Sequence, residues 1–582
     1  MNNFKRLLFL LVFFAPVALN AATTYTSTWA SVDKHNASPE WFRDAKFGIY
    51  FHWGVYSVPA YGSEWYPRNM YNKSGNSSEY QHHVATYGDP FTSWPYHYFI
   101  LGAKNKAGDS VKFAPKLKSA GGNFDPDEWA ALFDSAGAKF AGPVAEHHDG
   151  FSDWDSKVNE WNAVSKGPKL DLASLFATAI RAKGMKFMMS MHHAWNFTGY
   201  WVYPPTSYTD TSLQKLYGQM DTAKEYQLWN DKLKEIIDNY QPDLIWQDLY
   251  LSRIPVSRRL QFLAYYYNKA IDWGKEVVTT SKDGFDTNCA VSDYERGGPA
   301  GITYPYWLTD DAVSSSTWCY TSGMGYYSTT QMLHSLIDRV SKNGNMLLDI
   351  APMADGSIPQ AQKTILLGMG DWLRKFGESI YSTRAWIIYG QGPTKAGGGS
   401  FTAPLTGTNK DFRFTRAKDT STLYAICLGW PGNDSTVKID SVTSSRFAAN
   451  GVYLLSDTAG KYIQMSSFTQ SSKGISFKTP STKPYTALAY AFKITSSRTV
   501  AIKQTTLVPG KIVPTESGAV YYNKMPLSSI KIFKDLAGIE VYSLQGQKIT
   551  RYMFNKTVTA DDIKNLQKSI SHQAYYVKYI PR

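Results

Sequence analysis

The feature that most limits what this chain can fold into is a change of hydrophobic period near residue 380. Upstream, short apolar runs at 47–52, 140–148, 186–193, 243–248, 276–280 and 346–350 alternate with stretches of helical spacing. The helical stretches open at Asp125 and continue at 172–183, 213–239, 256–273, 329–341 and 359–376. Alternation sustained this long calls for parallel strands, because parallel neighbours need a crossover that is usually helical. Polar residues gather just past several runs, which favours a closed (β/α)8-like TIM barrel with its site on the C-terminal rim. A doubly wound sheet is the other solution, but no glycine-rich phosphate loop opens a first helix. One helix has both ends written into the sequence. Asp125 serves as N-cap, Pro126 takes the first helical position, Glu128 is spaced for a capping box and Gly137 can close the far end.

Downstream the period falls to two. Runs at 412–416, 423–428 and 436–439 are separated by Gly, Pro, Asn and Asp turns, which predicts an antiparallel β-sandwich. The expected division is a signal peptide at 1–22, the barrel at 23–385, the sandwich at 386–497 and a small C-terminal β-rich region at 498–582. That last region weakly resembles the C-terminal sorting domains of Bacteroidetes proteins exported by the type IX system; a plain β module is the other reading.

Export follows from the first residues. Lys5 and Arg6 precede an apolar run at 7–14, and Ala18, Ala21 and Ala22 supply small residues for cleavage. The run is too short to span a bilayer, so a periplasmic or extracellular protein without a membrane span is expected. The three cysteines, Cys289, Cys319 and Cys427, can form at most one bridge and match no zinc spacing. A net charge of +13 is spread without a dense Lys/Arg run, which argues against nucleic acid as a partner. Nothing in the sequence speaks to oligomeric state.

Chemistry starts at PDLIWQD. Strand side chains alternate, so Leu244, Trp246 and Asp248 share one face. If that face looks inward, Asp248 emerges at the rim above Trp246, a carboxylate beside an indole, as a glycosidase requires. Asp248 as a simple helix cap is the competing reading. Six of the eleven histidines fall in adjacent pairs, 82–83, 147–148 and 192–193, and His52 joins them at a strand end. Sugar hydrogen bonding, packing and metal ligation all remain open for them. Adjacent strand residues face opposite ways, however, and no H-x-H or H-E-x-x-H pattern occurs.

Taken in order, FGIYFHWGVYSVPAYGSEWYPRNMY, EHHDGFSDWDS, PDLIWQD, DYERGGPAGITYPYW, SKNGNMLLDIAPMADGSIP and YSTRAWIIYGQGP resemble α-L-fucosidases of glycoside hydrolase family 29 over about 41–393. The resemblance implies a retaining exo-enzyme that releases terminal α-L-fucose from a fucosylated oligosaccharide or glycoconjugate, with no cofactor and no metal. It makes Asp248 the nucleophile. His52, Glu64, Trp65, His147, His148 and Trp246 would line the fucose subsite.

Relatives carry the general acid/base on a variable loop, often as a Trp-Glu pair. Here Trp307 is followed by Leu308, which leaves Glu295 for that role, or else as an ion-pair partner of Arg296 or another cation. Other departures are Leu249 after the nucleophile and Lys282 where relatives have Arg. Met188 and Met189 replace tyrosines, so that His193, with His192 and Trp195, would take over sugar contacts. These departures leave α-L-galactosides or sulfated fucans open as substrates of the same chemistry. A fucose-binding protein without activity and a histidine-based metal hydrolase are the rivals from other classes.

Overall fold

The strand–helix alternation closes on itself. The computed structural model describes residues 24–496 apart from Pro204 and Ser466, together with three strands near the C-terminus. The expected signal peptide and most of 498–582 lie outside the described residues. Eight parallel strands form a closed barrel: β1 Phe47–Phe51, β2 Phe140–Glu146, β3 Lys186–Met191, β4 Leu244–Gln247, β5 Val278–Ser281, β6 Val291–Glu295, β7 Trp307–Ala312 and β8 Gly344–Ile350. Each pairs with its sequence neighbours, and β8 returns to β1. Helices α1 Pro126–Ser135, α2 Leu172–Ala182, α3 Thr222–Tyr240, α4 Val256–Asp272, α5 Thr329–Ser341 and α6 Gln360–Phe376 cover it.

The barrel expectation therefore holds, with two strands added. The links β5–β6 and β6–β7 contain no helix, so β6 and β7 escape a search for alternation. The stretch expected as one helix at 213–239 is two, Thr211–Leu216 and α3, separated around Gly218, whose φ is 58°. At α1, the Asp125 carboxylate accepts from the backbone N–H groups of Asp127 and Glu128. Glu128 pairs with Lys118 instead of completing a capping box.

Alternation then sorts the barrel interior into layers. A buried apolar floor consists of Phe140, Met188, Leu244, Val278, Val291, Leu308 and Leu347, with Tyr50 and Trp246 above it. Counting by twos from the floor leads to His192 on β3, Asp248 on β4, Lys282 on β5, Glu295 on β6, Asp310 on β7 and Asp349 on β8. Each of these six strands thus delivers an apolar residue at the bottom and a polar one nearer the C-terminal rim. Two glycines make room below: a Cβ on Gly48 would sit 2.2 Å from the Phe140 ring, and one on Gly142 would sit 1.7 Å from the Met188 carbonyl oxygen.

Past the barrel, β9 Arg384–Gln391, β10 Phe412–Arg416, β11 Thr422–Cys427, β12 Thr436–Ile439, β13 Gly451–Leu455, β14 Tyr462–Gln464, β15 Phe468–Ser471, β16 Gly474–Lys478 and β17 Tyr490–Thr495 form two antiparallel sheets. Their orders are β9-β10-β11-β17-β13-β14 and β12-β16-β15. They enclose a second core that includes Phe414, Leu454, Phe477 and Phe492. Buried Arg413 of β10 ties this unit to the barrel through Asp338 of α5, which also holds Lys342 at 2.7 Å. The C-terminal strands β18 Leu536–Ser543, β19 Lys548–Met553 and β20 Tyr575–Pro581 pair antiparallel in the order β19-β18-β20. All three cysteines are unpaired and buried.

Because backbone rather than a movable side chain blocks the space, Gly142→Ala is expected to cost about 1–3 kcal/mol or more through overpacking. The check is a chemical-denaturation midpoint, and an unaltered midpoint would show that the strand gives way freely.

Candidate active site

His52, His147, His192, Asp248 and Lys282 are each the first residue beyond the end of their strand. Parallel strands in a barrel present these positions together at one rim. On β2 a register irregularity between Val144 and Glu146 interrupts the alternation, and both His147 and His148 reach the site.

Asp248 is the centre. Its Oδ2 lies 3.0 Å from Nε2 of His148 and 3.2 Å from Nδ1 of His192. Its Oδ1 lies 2.9 Å from the ammonium of Lys282. Burial by itself would raise the carboxyl pKa. Lys282, then His192 and His148, outweigh it and hold Asp248 well below the usual carboxylate range. The same ammonium lies 2.8 Å from Oε2 of Glu295, 3.5 Å from Asp310 and 5.0 Å from the centre of the Trp246 ring.

Glu295 has the opposite tendency. Burial, together with the negative charges of Asp310 and Asp248, pushes its pKa up to about 7 against the pull of Lys282. Beneath it, Asp293 accepts from the backbone N–H of Asp310 at 3.1 Å, and its own carboxyl is pushed well above the ordinary range by burial and then by Asp310. Tyr50 donates to the Asp310 carboxylate at 3.3 Å. Glu295 is the last residue of β6 rather than part of a loop, and its cation partner is Lys282, not Arg296. Two carboxyl groups with pKa values driven apart around one cation are what acid/base division of labour requires.

The histidines are buried and mostly uncharged. Burial, followed by mutual repulsion, pushes His52 and His147 well below the usual imidazole value, and His192 falls to about 4. Asp349 fixes His52, accepting from its backbone N–H at 3.0 Å and facing its ring Nδ1 at 2.8 Å. His148 is oriented by the His192 carbonyl, 2.8 Å from its Nδ1. Nδ1 of His147 and Nε1 of Trp246 are buried without a hydrogen-bond partner, a cost that a polyhydroxyl ligand would relieve. The sets His52/His147/His192 and His148/His192/Asp248 each bring three ligand atoms within 4.8 Å, so a metal ion is also sterically possible there.

Glu64 accepts at 3.1 Å from both the Thr317 hydroxyl and the Trp318 backbone N–H, which anchors the loop after β7. Trp65 packs 4.7 Å from Trp195 and 5.9 Å from His148, forming an aromatic wall. One expectation needs correction. His193 is fully buried against Glu146, 2.5 Å away, and Lys232 is 2.7 Å from the same oxygen, outside the group around Asp248. The adjacent His192 occupies the site because Met188, Ser190 and His192 share the inward face while His193 falls on the other.

Tyr50, Asp349 and Trp318 also belong to the site, and no motif or spacing in the sequence singles them out. The Trp318 ring lies 5.5 Å from His52 and 6.3 Å from Tyr50, with the Arg296 guanidinium 4.3 Å above it. It lies on an irregular loop where spacing carries no information. Tyr50 and Asp349 are open to the same count by twos as Asp248, which gives a face but not a role.

Comparison with known proteins agrees with this arrangement. The family model described as alpha-L-fucosidase matches residues 12–378. The chain is 29% identical to the rat (Rattus norvegicus) tissue alpha-L-fucosidase over 427 residues, covering 72% of this chain and 81% of that protein. It is 28% identical to the human (Homo sapiens) plasma alpha-L-fucosidase over 427 residues, covering 71% and 80%. A crystal structure of the Thermotoga maritima alpha-fucosidase with a mechanism-based inhibitor superposes with a TM-score of 0.62 at 26% identity, covering 81% of this chain and all of that one. With a family match over well more than half of the sequence and a barrel rim that unites its motifs, this chain belongs to the α-L-fucosidase family, glycoside hydrolase family 29.

Proposed function

We propose that the protein is a retaining exo-α-L-fucosidase in which Asp248 is the nucleophile and Glu295 the general acid/base. The observation that carries the reading is the shared ammonium of Lys282, with one oxygen of each carboxyl group no more than 2.9 Å away. Those oxygens can therefore be separated by at most twice that distance. Retaining glycosidases keep their carboxyl groups about 5–5.5 Å apart, whereas inverting ones need about 6.5–9.5 Å to admit a water. The buried floor behind Asp248 suits an enzyme that takes only a terminal sugar.

In the first step ionised Asp248 attacks the anomeric carbon while protonated Glu295 gives its proton to the departing oxygen. A fucosyl ester on Asp248 results. Glu295, now a carboxylate, takes a proton from water as that water attacks the same carbon. The ester bond breaks, and fucose leaves with its original anomeric configuration. Lys282 steadies Asp248 before attack and Glu295 after it has lost its proton. Neutral His52, His147 and His192 offer hydrogen bonds to sugar hydroxyls without adding charge. We read residues 1–22 as an export signal that sends the enzyme to the periplasm or beyond. Among the described residues no helix is long and apolar enough to cross a membrane.

Asp248→Ala is expected to abolish hydrolysis in a folded protein, and 2-fluorofucosyl fluoride should label the wild type at residue 248 by peptide mass spectrometry. A label elsewhere sinks the nucleophile assignment. Glu295→Ala should slow unactivated fucosides far more than activated aryl fucosides, with azide restoring part of the rate. Equal loss on both, without azide rescue, moves the acid/base role to another residue. The pH profile supplies a third check. kcat/KM should fall as pH rises through about 7, where Glu295 loses the proton it must donate, and should persist on the acid side below the usual carboxylate range, where Asp248 is still ionised. Lys282→Gln removes the cation that favours both anions, so both limbs should move to higher pH. Limbs that stay in place would refute that role for Lys282.

A further inference from the structure

The segment joining β9 to β10 leaves the second sheet unit and returns to the barrel rim beside Glu295. Gly298 and Gly399 exchange N–H···O bonds at 2.9 Å in both directions. The Phe401 N–H donates to the Glu295 carbonyl at 2.7 Å, and the Thr402 N–H donates to that of Arg296 at 2.8 Å. The Glu295 N–H in turn donates to the Ser400 hydroxyl at 3.2 Å. A Cβ on Gly297 would lie 2.0 Å from the Gly399 oxygen, so glycine is what permits this approach. Five hydrogen bonds thus hold the strap 398–402 along the end of the strand that carries Glu295.

Phe401 is the anomaly on that strap. Its side chain is 70% exposed, the largest fraction among the exposed large hydrophobic residues described, although its backbone is pinned. Its φ of 57° lies in the left-handed region, an outlier for a bulky residue that costs about 1–3 kcal/mol. Single exposed apolar side chains are ordinary on protein surfaces. A phenyl ring held at a strained backbone position, bonded directly to the residue beside it in the site and making no ring contact among the described residues, serves stability in no visible way. Observed strain of this kind points toward function.

From this juxtaposition we infer that Phe401 is the wall of the leaving-group subsite, against which the sugar bearing the fucose packs. The inference rests on Glu295 being the general acid. A general acid stands where the terminal sugar joins the rest of the glycan, because its proton goes to the bridging oxygen. The terminal sugar belongs over the buried histidines and Trp246, so the leaving portion extends to the open side, where the exposed ring of a residue hydrogen-bonded through its backbone to Glu295 can meet it. A flat apolar ring offers a pyranose face a large contact at little entropy cost. Phe401 would thereby set preference among fucosylated glycans without touching the reacting atoms.

Phe401→Gly is the variant to make, since glycine adopts the left-handed backbone without strain and keeps the strap's hydrogen bonds available. The measurement is kcat/KM for a fucosylated trisaccharide relative to α-L-fucosyl fluoride, whose fluoride occupies no sugar subsite. That ratio should fall about tenfold, chiefly through KM, with Phe401→Trp restoring it. A ratio equal to that of the wild type, whether both substrates keep their rates or both lose them together, overturns the inference. Failure of Phe401→Trp to restore the ratio also overturns it, because the effect would then lie in the strap and not in the ring. A wild type inert toward fucosyl fluoride would overturn the fucosidase reading and this inference together. An active wild type with an unaltered ratio in Phe401→Gly overturns the inference alone.

Discussion

One largely buried ammonium organises the polar rim of the barrel. Lys282 stands between Asp248, Glu295 and Asp310, and without it three carboxyl groups would be crowded together with little solvent to screen them. Taking a carboxylate out of water is costly unless a cation and hydrogen bonds compensate it. Here compensation is deliberately unequal. Asp248 has the ammonium plus two imidazole rings against its other oxygen, and stays ionised. Glu295 has the same ammonium but faces two acidic neighbours, and holds its proton up to about 7. Identical functional groups a few ångströms apart come to differ in charge through their surroundings alone. A lysine serves here as a compact point charge, reaching three carboxyl groups from one nitrogen, where an arginine fork would favour bidentate contact with one.

That arrangement depends on the barrel below it. Parallel strands running in register present the first residue past each strand end at one rim, and the period of two decides which side chains look inward. An apolar floor lies beneath, so the polar groups above it are desolvated on one side and their interactions strengthen. The same burial strips charge from three of the histidines, leaving neutral donors and acceptors suited to hydroxyl groups. A second ionic layer, Glu146 with Lys232 and His193, sits outside this face and braces β2, β3 and α3 against one another.

The sheet unit that follows is more than a support. Its core is separate, yet Arg413 locks it to α5, and the strap between β9 and β10 runs beside the strand bearing Glu295. Glu295 therefore has its side chain fixed by the barrel and both of its backbone polar groups engaged by the second unit. Since β6 is joined to β5 and β7 without covering helices, the strap supplies packing at the sector where the barrel lacks it.

By itself the sequence determined the fold class, because a period that switches from mixed strand–helix alternation to two admits few architectures. It also determined that Asp248 and Trp246 share a face, since their separation along one strand fixes it whatever the tertiary structure. The motif order from FGIYFHWG to SKNGNMLLDI identified the family. Tertiary structure decided the rest, for reasons that local spacing cannot contain. Which member of the pair His192–His193 joins the group around Asp248 depends on which side of β3 meets the barrel interior. That both His147 and His148 reach the site depends on an irregularity in the pairing of β2 with β3. Strands β6 and β7 went unread because no helix punctuates them. Trp318 and the strap at 398–402 become neighbours of the site only through chain paths that fold back over long separations. Spacing reports what one strand or helix does, while proximity between distant segments is settled only when all of them pack at once.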